Sequence, residues 1–249
     1  MNIHHVMRTV LWVTPMGLLS LIAVTMVRRR LVRVFPIFFT YTVYVLTRDV
    51  VLWFVPTRYP NLYSWIYWVG EAVSILLQLV VIYEVLWYLT GPYESVRMLA
   101  SKVFKVVIVI GTLAACLLFA WVATGPGTSL IEMIYLLERS ARVAQVFVLI
   151  TIIVFLSRLG LTWHHYATGI LLGSGIAGLQ LVPAELIGNL HLISNETFGW
   201  LKPAIYNVAV IGWAAYFVAG HSRRTDLTSL PETDLGRWDR SLREYLRAR

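Results

Sequence analysis

VRRRLVRVFP, residues 27 to 36, decides how the whole chain reads. An apolar run, roughly 9–27, leads into it, and a second, roughly 36–56, leaves it. Between them stand Arg28, Arg29, Arg30 and Arg33. A run of that length is too long for the apolar core of a secretory leader. It also ends in arginines rather than in a small-residue cleavage site. It therefore reads as an uncleaved first membrane helix, and the arginines as a cytoplasmic turn. Pro36 then falls in the first turn of the second helix, where a missing N–H costs little.

The same pattern repeats along the chain. Apolar segments fall at roughly 9–27, 36–56, 63–89, 103–124, 129–157, 164–184 and 198–219. Pro- and Gly-punctuated breaks separate them, such as PTRYPNL (56–62), TGPYES (90–95) and TGPGTS (124–129). Pro203 is placed, like Pro36, in the first turn of its helix. Of the 249 residues, 58% are hydrophobic and 14% are charged, and the mean hydropathy is +0.70. A soluble domain is nearer one quarter charged. Each span needs about 20 apolar residues, so seven spans consume nearly the whole chain. The expected fold is an all-α membrane protein: a seven-transmembrane-helix bundle over residues 1–220, followed by a basic tail, 221–249.

Positive charge orients the bundle. Arg28, Arg29, Arg30 and Arg33 fill the first loop, Arg97, Lys102 and Lys105 border the third, Arg158 lies in the fifth, and seven arginines follow Gly220. The opposite side has only Arg8 and Arg58, beside Glu132, Glu185 and Glu196. Cytoplasmic loops collect Lys and Arg, so the N-terminus is expected outside and the C-terminus in the cytoplasm. The net charge of +8 is absorbed by this asymmetry and does not call for nucleic acid. The expected location is a bacterial inner (plasma) membrane. Trp53, Trp65, Trp68, Trp87, Trp121, Trp163 and Trp200 lie near span ends, as interface anchors do. The single cysteine, Cys116, excludes an internal disulfide. No cofactor or metal motif is present; His164–His165 lacks the i, i+4 spacing of a ligand pair.

Charges inside the spans carry the functional expectation. Arg48 and Asp49 of helix 2, Glu71 of helix 3, and Glu138, Arg139 and Arg142 of helix 5 fall in one layer. At 1.5 Å per residue that layer is roughly 10–15 Å below the outer surface. A charge in mid-membrane costs from about 2.5 to over 10 kcal/mol unless paired or wetted. Convergence is the economical arrangement, with three acids against three bases. Helical spacing gives inward stripes: Tyr41, Tyr44 and Arg48; Glu71, Ser74 and Gln78; Glu138, Arg142 and Gln145. Glu138 and Arg142 at i, i+4 form a local pair. Helix 4 has only Thr112 and Cys116 as polar residues between Val106 and Ala123, and is expected to face lipid.

Two readings of the layer compete: a closed ion-pair network that fixes helix register, and a polar pocket open to the outside. The pocket is favoured, with a floor of Arg48, Asp49, Glu71, Glu138, Arg139 and Arg142. Gln78, Gln145, Lys202, Tyr206 and Asn207 stand as secondary ligand-binding residues. Arginine suits a small anionic or zwitterionic ligand. The leading function is a sensor or receptor-like module; a small proton-coupled transporter and a structural subunit are the alternatives. Glu84, more than three turns from Glu71, is expected to pair with Arg158 or a tail arginine. GILLGSGIAG (169–178) offers Gly169 and Gly173 for close helix packing. LGRWDRSLREYLRAR (235–249) reads as an amphipathic helix for the anionic inner leaflet or for a cytoplasmic or membrane protein partner.

Seven helices with an external N-terminus invite comparison with rhodopsins and G-protein-coupled receptors. Lys202 lies near the outer end of helix 7, not at its middle, where retinal would be held. Helix 3 ends in YEVLWYL rather than Asp-Arg-Tyr, and IYN at 205–207 is not Asn-Pro-x-x-Tyr.

Overall fold

The computed structural model describes residues 3–55, 60–91, 94–123, 142–143, 145–151, 153–154, 166–179 and 195–219. Apart from short turns these are helical, with no strand among them. We label the helices α1 (Ile3–Arg28), α2 (Pro36–Phe54), α3 (Pro60–Thr90), α4 (Glu94–Ala123), α5 (the helical residues described within 142–154), α6 (Tyr166–Gly178) and α7 (Asn195–Ala219). A 3-10 turn, Leu31–Arg33, links α1 to α2. Among the described residues, three helical stretches are long and apolar enough to cross a membrane: Thr9–Arg28, Pro36–Phe54 and Leu62–Thr90. Residues 221–249, with the amphipathic segment 235–249, lie outside the described residues, as do Arg158, Trp163, His164 and His165.

Short polar side chains do not interrupt these helices. Thr40, Thr42, Thr47, Thr90 and Ser20 each donate a hydroxyl to the carbonyl four residues back, at 2.8 or 2.9 Å. The hydroxyl is thereby satisfied within its own helix, as an apolar surrounding demands. α4 begins nine residues before its apolar run, because Glu94 through Lys102 extends the helix as a polar first part. Val106, Val109, Ile110, Leu113 and Leu117 form an exposed stripe along it, as expected of a lipid-facing helix.

α1 packs on α2 and α7, α2 on α3, α3 on α4 and α6, and α6 on α7. The helices α1, α2, α3, α6 and α7 thus form a closed ring, with α4 outside it against α3. One end of the ring is dry and aromatic. Phe38 stacks on Phe217 at 5.4 Å and meets Trp213 edge-on at 5.6 Å, and Phe35 meets Tyr88 at 4.8 Å. Trp213, fully buried, donates its Nε1 to the Ile170 carbonyl at 3.1 Å. Gly173 makes this fit: a Cβ there would collide with the indole ring. Gly169 and Gly173 of α6 therefore serve internal packing against Tyr216 and Trp213 of α7, while Gly175 and Gly178 approach Leu149 and Val146 of α5.

Two contacts fasten the dry end. Pro36 stands at the start of α2, so Ile37 and Phe38 carry free N–H groups. Both donate to Glu84 of α3, to Oε1 at 2.8 Å and to Oε2 at 2.9 Å. The carboxylate caps α2 from a neighbouring helix, where the helix dipole favours a negative charge. The arginines expected to pair with Glu84, Arg158 and those of the tail, lie outside the described residues. Arg29 donates to the Tyr166 hydroxyl at 3.0 Å and to the Val218 carbonyl, an orphan acceptor at the end of α7, at 3.1 Å. Arg30 holds a left-handed backbone, φ 58°, as α1 ends.

Candidate functional site

Beyond the aromatic end lies a cavity of about 160 Å³. Arg48 and Asp49 reach it from α2, Glu71, Ser74 and Gln78 from α3, Arg142 from α5 and Tyr206 from α7. Tyr41 and Tyr67 complete its polar wall. Leu11, Trp12 and Pro15 of α1, with Leu52, Ile75, Ala177 and Pro203, form the apolar wall.

The charges form an alternating chain. Arg48 donates Nε and Nη2 to Asp49 Oδ1 at 3.0 and 2.8 Å, and Nη1 to Glu71 Oε2 at 2.8 Å. Glu71 Oε1 is paired with Arg142 Nη2. Asp49, Glu71 and Arg142 are buried, Glu71 to 8% and Arg142 to 7% exposure, and Arg48 is half-buried. Burying each charge alone is costly, and each here has a partner of opposite sign. The shared carboxylate keeps the two guanidinium groups together. Gly70 lets Arg48 pass: a Cβ there would stand 2.8 Å from its Cδ. Tyr44 braces the same crossing by donating its hydroxyl to the Gly70 carbonyl at 3.0 Å.

The sequence-derived residues divide into groups. Arg48, Asp49, Glu71, Gln78, Arg142 and Tyr206 are brought together around the cavity. Glu138 and Arg139 lie outside the described residues, as does the side chain of Lys202. Gln145 is buried but is absent from the cavity wall. Asn207 is also off the wall, for a specific reason. Pro15 sits inside α1 and has no N–H for the Leu11 carbonyl one turn back. Asn207 Nδ2 donates to that freed carbonyl at 3.0 Å, and to Pro203 O at 2.9 Å. Pro203 is itself interior to α7, because that helix starts at Asn195; it does not occupy the first turn. It lines the cavity.

Several wall residues were not singled out by sequence. Tyr41 and Ser74 lay on the recognised stripes, and that was their signal. Leu11, Trp12 and Pro15 had none, because an apolar helix wall looks the same facing lipid or a cavity. Among the described residues, four buried polar atoms have no hydrogen-bond partner: Gln78 Nε2, Gln145 Oε1, Ser174 Oγ and Tyr206 Oη. Two of these four residues, Gln78 and Tyr206, line the cavity. Buried polar atoms are normally bonded, and here two unbonded ones border a cavity. Among the described residues no group of three His, Cys, Asp or Glu side chains gathers as a metal site.

No family model, no curated protein and no solved structure matches the chain.

Proposed function

We propose that this chain is a seven-span protein of a bacterial inner membrane, with its N-terminus outside, that binds a small anionic or zwitterionic ligand in the α2–α3–α5–α7 cavity as a sensor or receptor-like module. The topology is supported by which helix ends meet. Arg29, closing α1, touches the start of α6 and the last turn of α7, and Glu84 of α3 touches the start of α2. That is the alternation expected of successive crossings. The arginines 28–30 and 33 lie at this same end, which makes it the cytoplasmic one. The cavity then falls in the outer half of the bundle.

The observation that carries the binding reading is the cavity itself. Paired charges from three helices line the cavity, and two orphaned polar groups border it. Ionisable groups within membrane spans mark binding or transport pathways by default. A ligand that binds only the folded state raises its melting temperature. The test is thermal unfolding of the protein in lipid nanodiscs against a panel of small anions and zwitterions. Wild type is stabilised by a member of the panel. Arg142→Met folds, because Glu71 keeps Arg48, and loses that response. No stabilisation at all, or an equal response from Arg142→Met, contradicts the reading. Flux of the stabilising compound across proteoliposomes would turn the binding module into a small secondary transporter.

A further inference from the structure

We infer that the ligand is a compact zwitterion, and that the Gln78 amide and Tyr206 hydroxyl are kept unbonded to receive it. This rests on the ligand-binding reading above and narrows it to one chemical class.

Charge is the first ground. Among the described residues the cavity carries two carboxylates and two guanidinium groups in the order Asp49, Arg48, Glu71, Arg142. A lone anion or cation entering this balanced, poorly solvated set adds an uncompensated charge. A zwitterion adds none and finds a partner for each of its ends.

Bonding capacity is the second. Both oxygens of Glu71 are engaged by arginine. On Asp49 both Arg48 bonds fall on Oδ1, which leaves Oδ2 as the carboxylate oxygen able to accept from an ammonium group. Tyr41, Tyr67 and Trp12 add aromatic surface, which favours a cation. For the ligand's oxygen end, Gln78, a residue 4% exposed, offers an Nε2 donor, and Tyr206 offers its hydroxyl.

Size is the third. About 160 Å³ is well below the roughly 300–1,000 Å³ of drug-sized sites. Only a few atoms fit between the two charges.

The orphaned groups also have a consequence that a purely structural role does not share. An unbonded buried donor lowers the stability of the empty protein. Removing it at a binding site raises stability and lowers function. Tyr206→Phe and Gln78→Met therefore raise the melting temperature of the ligand-free protein, by about 2 °C or more.

The experiment uses the full chain in nanodiscs and three probe sets at millimolar concentration. The first is the ω-amino acids from glycine to γ-aminobutyrate. The second is the carboxylic acids of equal length, and the third the matching amines. The expected result is stabilisation by one or more ω-amino acids and by neither matched single-charge compound. Tyr206→Phe and Gln78→Met melt higher when empty and bind the active zwitterion about tenfold more weakly or worse. Asp49→Asn weakens binding of the same zwitterion. If a carboxylic acid alone stabilises as well as its ω-amino counterpart, the zwitterion inference falls while the ligand cavity stands. If none of the three sets and no member of the wider panel stabilises the protein, both fall. Lower melting of Tyr206→Phe and Gln78→Met would show the two groups to be structural and overturn their assignment.

Discussion

Glu71 and Glu84 stand on the same helix, about 20 Å apart along its axis, the first buried and the second half-buried, and solve the problem of a carboxylate inside the bundle differently. Glu84 gives both oxygens to the backbone N–H groups that open α2. Nothing is left over, and dry aromatic packing surrounds the junction. Glu71 gives its oxygens to guanidinium groups from two other helices, beside a cavity with unbonded polar atoms on its wall. The first arrangement closes the bundle. The second pairs charge at the wall of a cavity. An acid inside the bundle is thus no functional signal by itself; what surrounds it after pairing decides.

The largest effect separating the two belongs to Glu71. Glu71→Leu leaves Arg48 with Asp49 and strips Arg142 of its described carboxylate partner. Breaking a buried pair this way costs about 3–5 kcal/mol, visible as lost yield or a collapsed melting temperature in detergent. Adding Arg142→Met to that variant recovers much of the loss, because an apolar replacement of the pair avoids the stranded charge.

A smaller effect tests how the cavity's apolar wall is held. Asn207→Leu strands the Leu11 carbonyl that Pro15 has freed, at about 1–3 kcal/mol. Pro15→Ala restores an N–H for that carbonyl, so the double variant melts above Asn207→Leu alone. Additive losses in this cycle would show that the Pro15–Asn207 link is not what joins α1 to α7.

Glu84→Ala comes next, at about 1–2 kcal/mol, the scale of a lost helix cap. Its decisive feature is that ligand-induced stabilisation survives, whereas Glu71→Gln loses it. The smallest effect is a gain. Arg30 holds a left-handed backbone that glycine adopts freely. Arg30→Gly raises stability by up to about 1 kcal/mol in chemical unfolding.

The layer of charge was legible in the sequence because depth along a helix is fixed by rise per residue. Arg48, Asp49, Glu71 and Arg142 shared a level, and the cost of isolated charge in lipid required them to meet. Their pairing was less legible. The i, i+4 rule linked Arg142 to Glu138, which lies outside the described residues; the described partner is Glu71, reached across helices. Such contacts depend on helix rotation, which packing sets: Gly173 under Trp213, Gly70 beside Arg48. Asn207 shows the limit most clearly. Its partner is a carbonyl freed by a proline almost the whole chain away, and no local pattern around residue 207 contains that information. The same holds for the described partners of Glu84, two backbone N–H groups at the start of another helix, which no charge pattern around residue 84 contains.

The central claim is that side chains of α2, α3, α5 and α7 enclose one ligand-binding chamber. A high-resolution cryo-electron-microscopy map of the chain in native-lipid nanodiscs tests it most directly. The account predicts Arg48, Glu71 and Arg142 in mutual contact, with compact non-protein density bounded by Asp49, Gln78 and Tyr206. A map in which those side chains diverge toward lipid, or in which protein side chains fill the space completely, would contradict it.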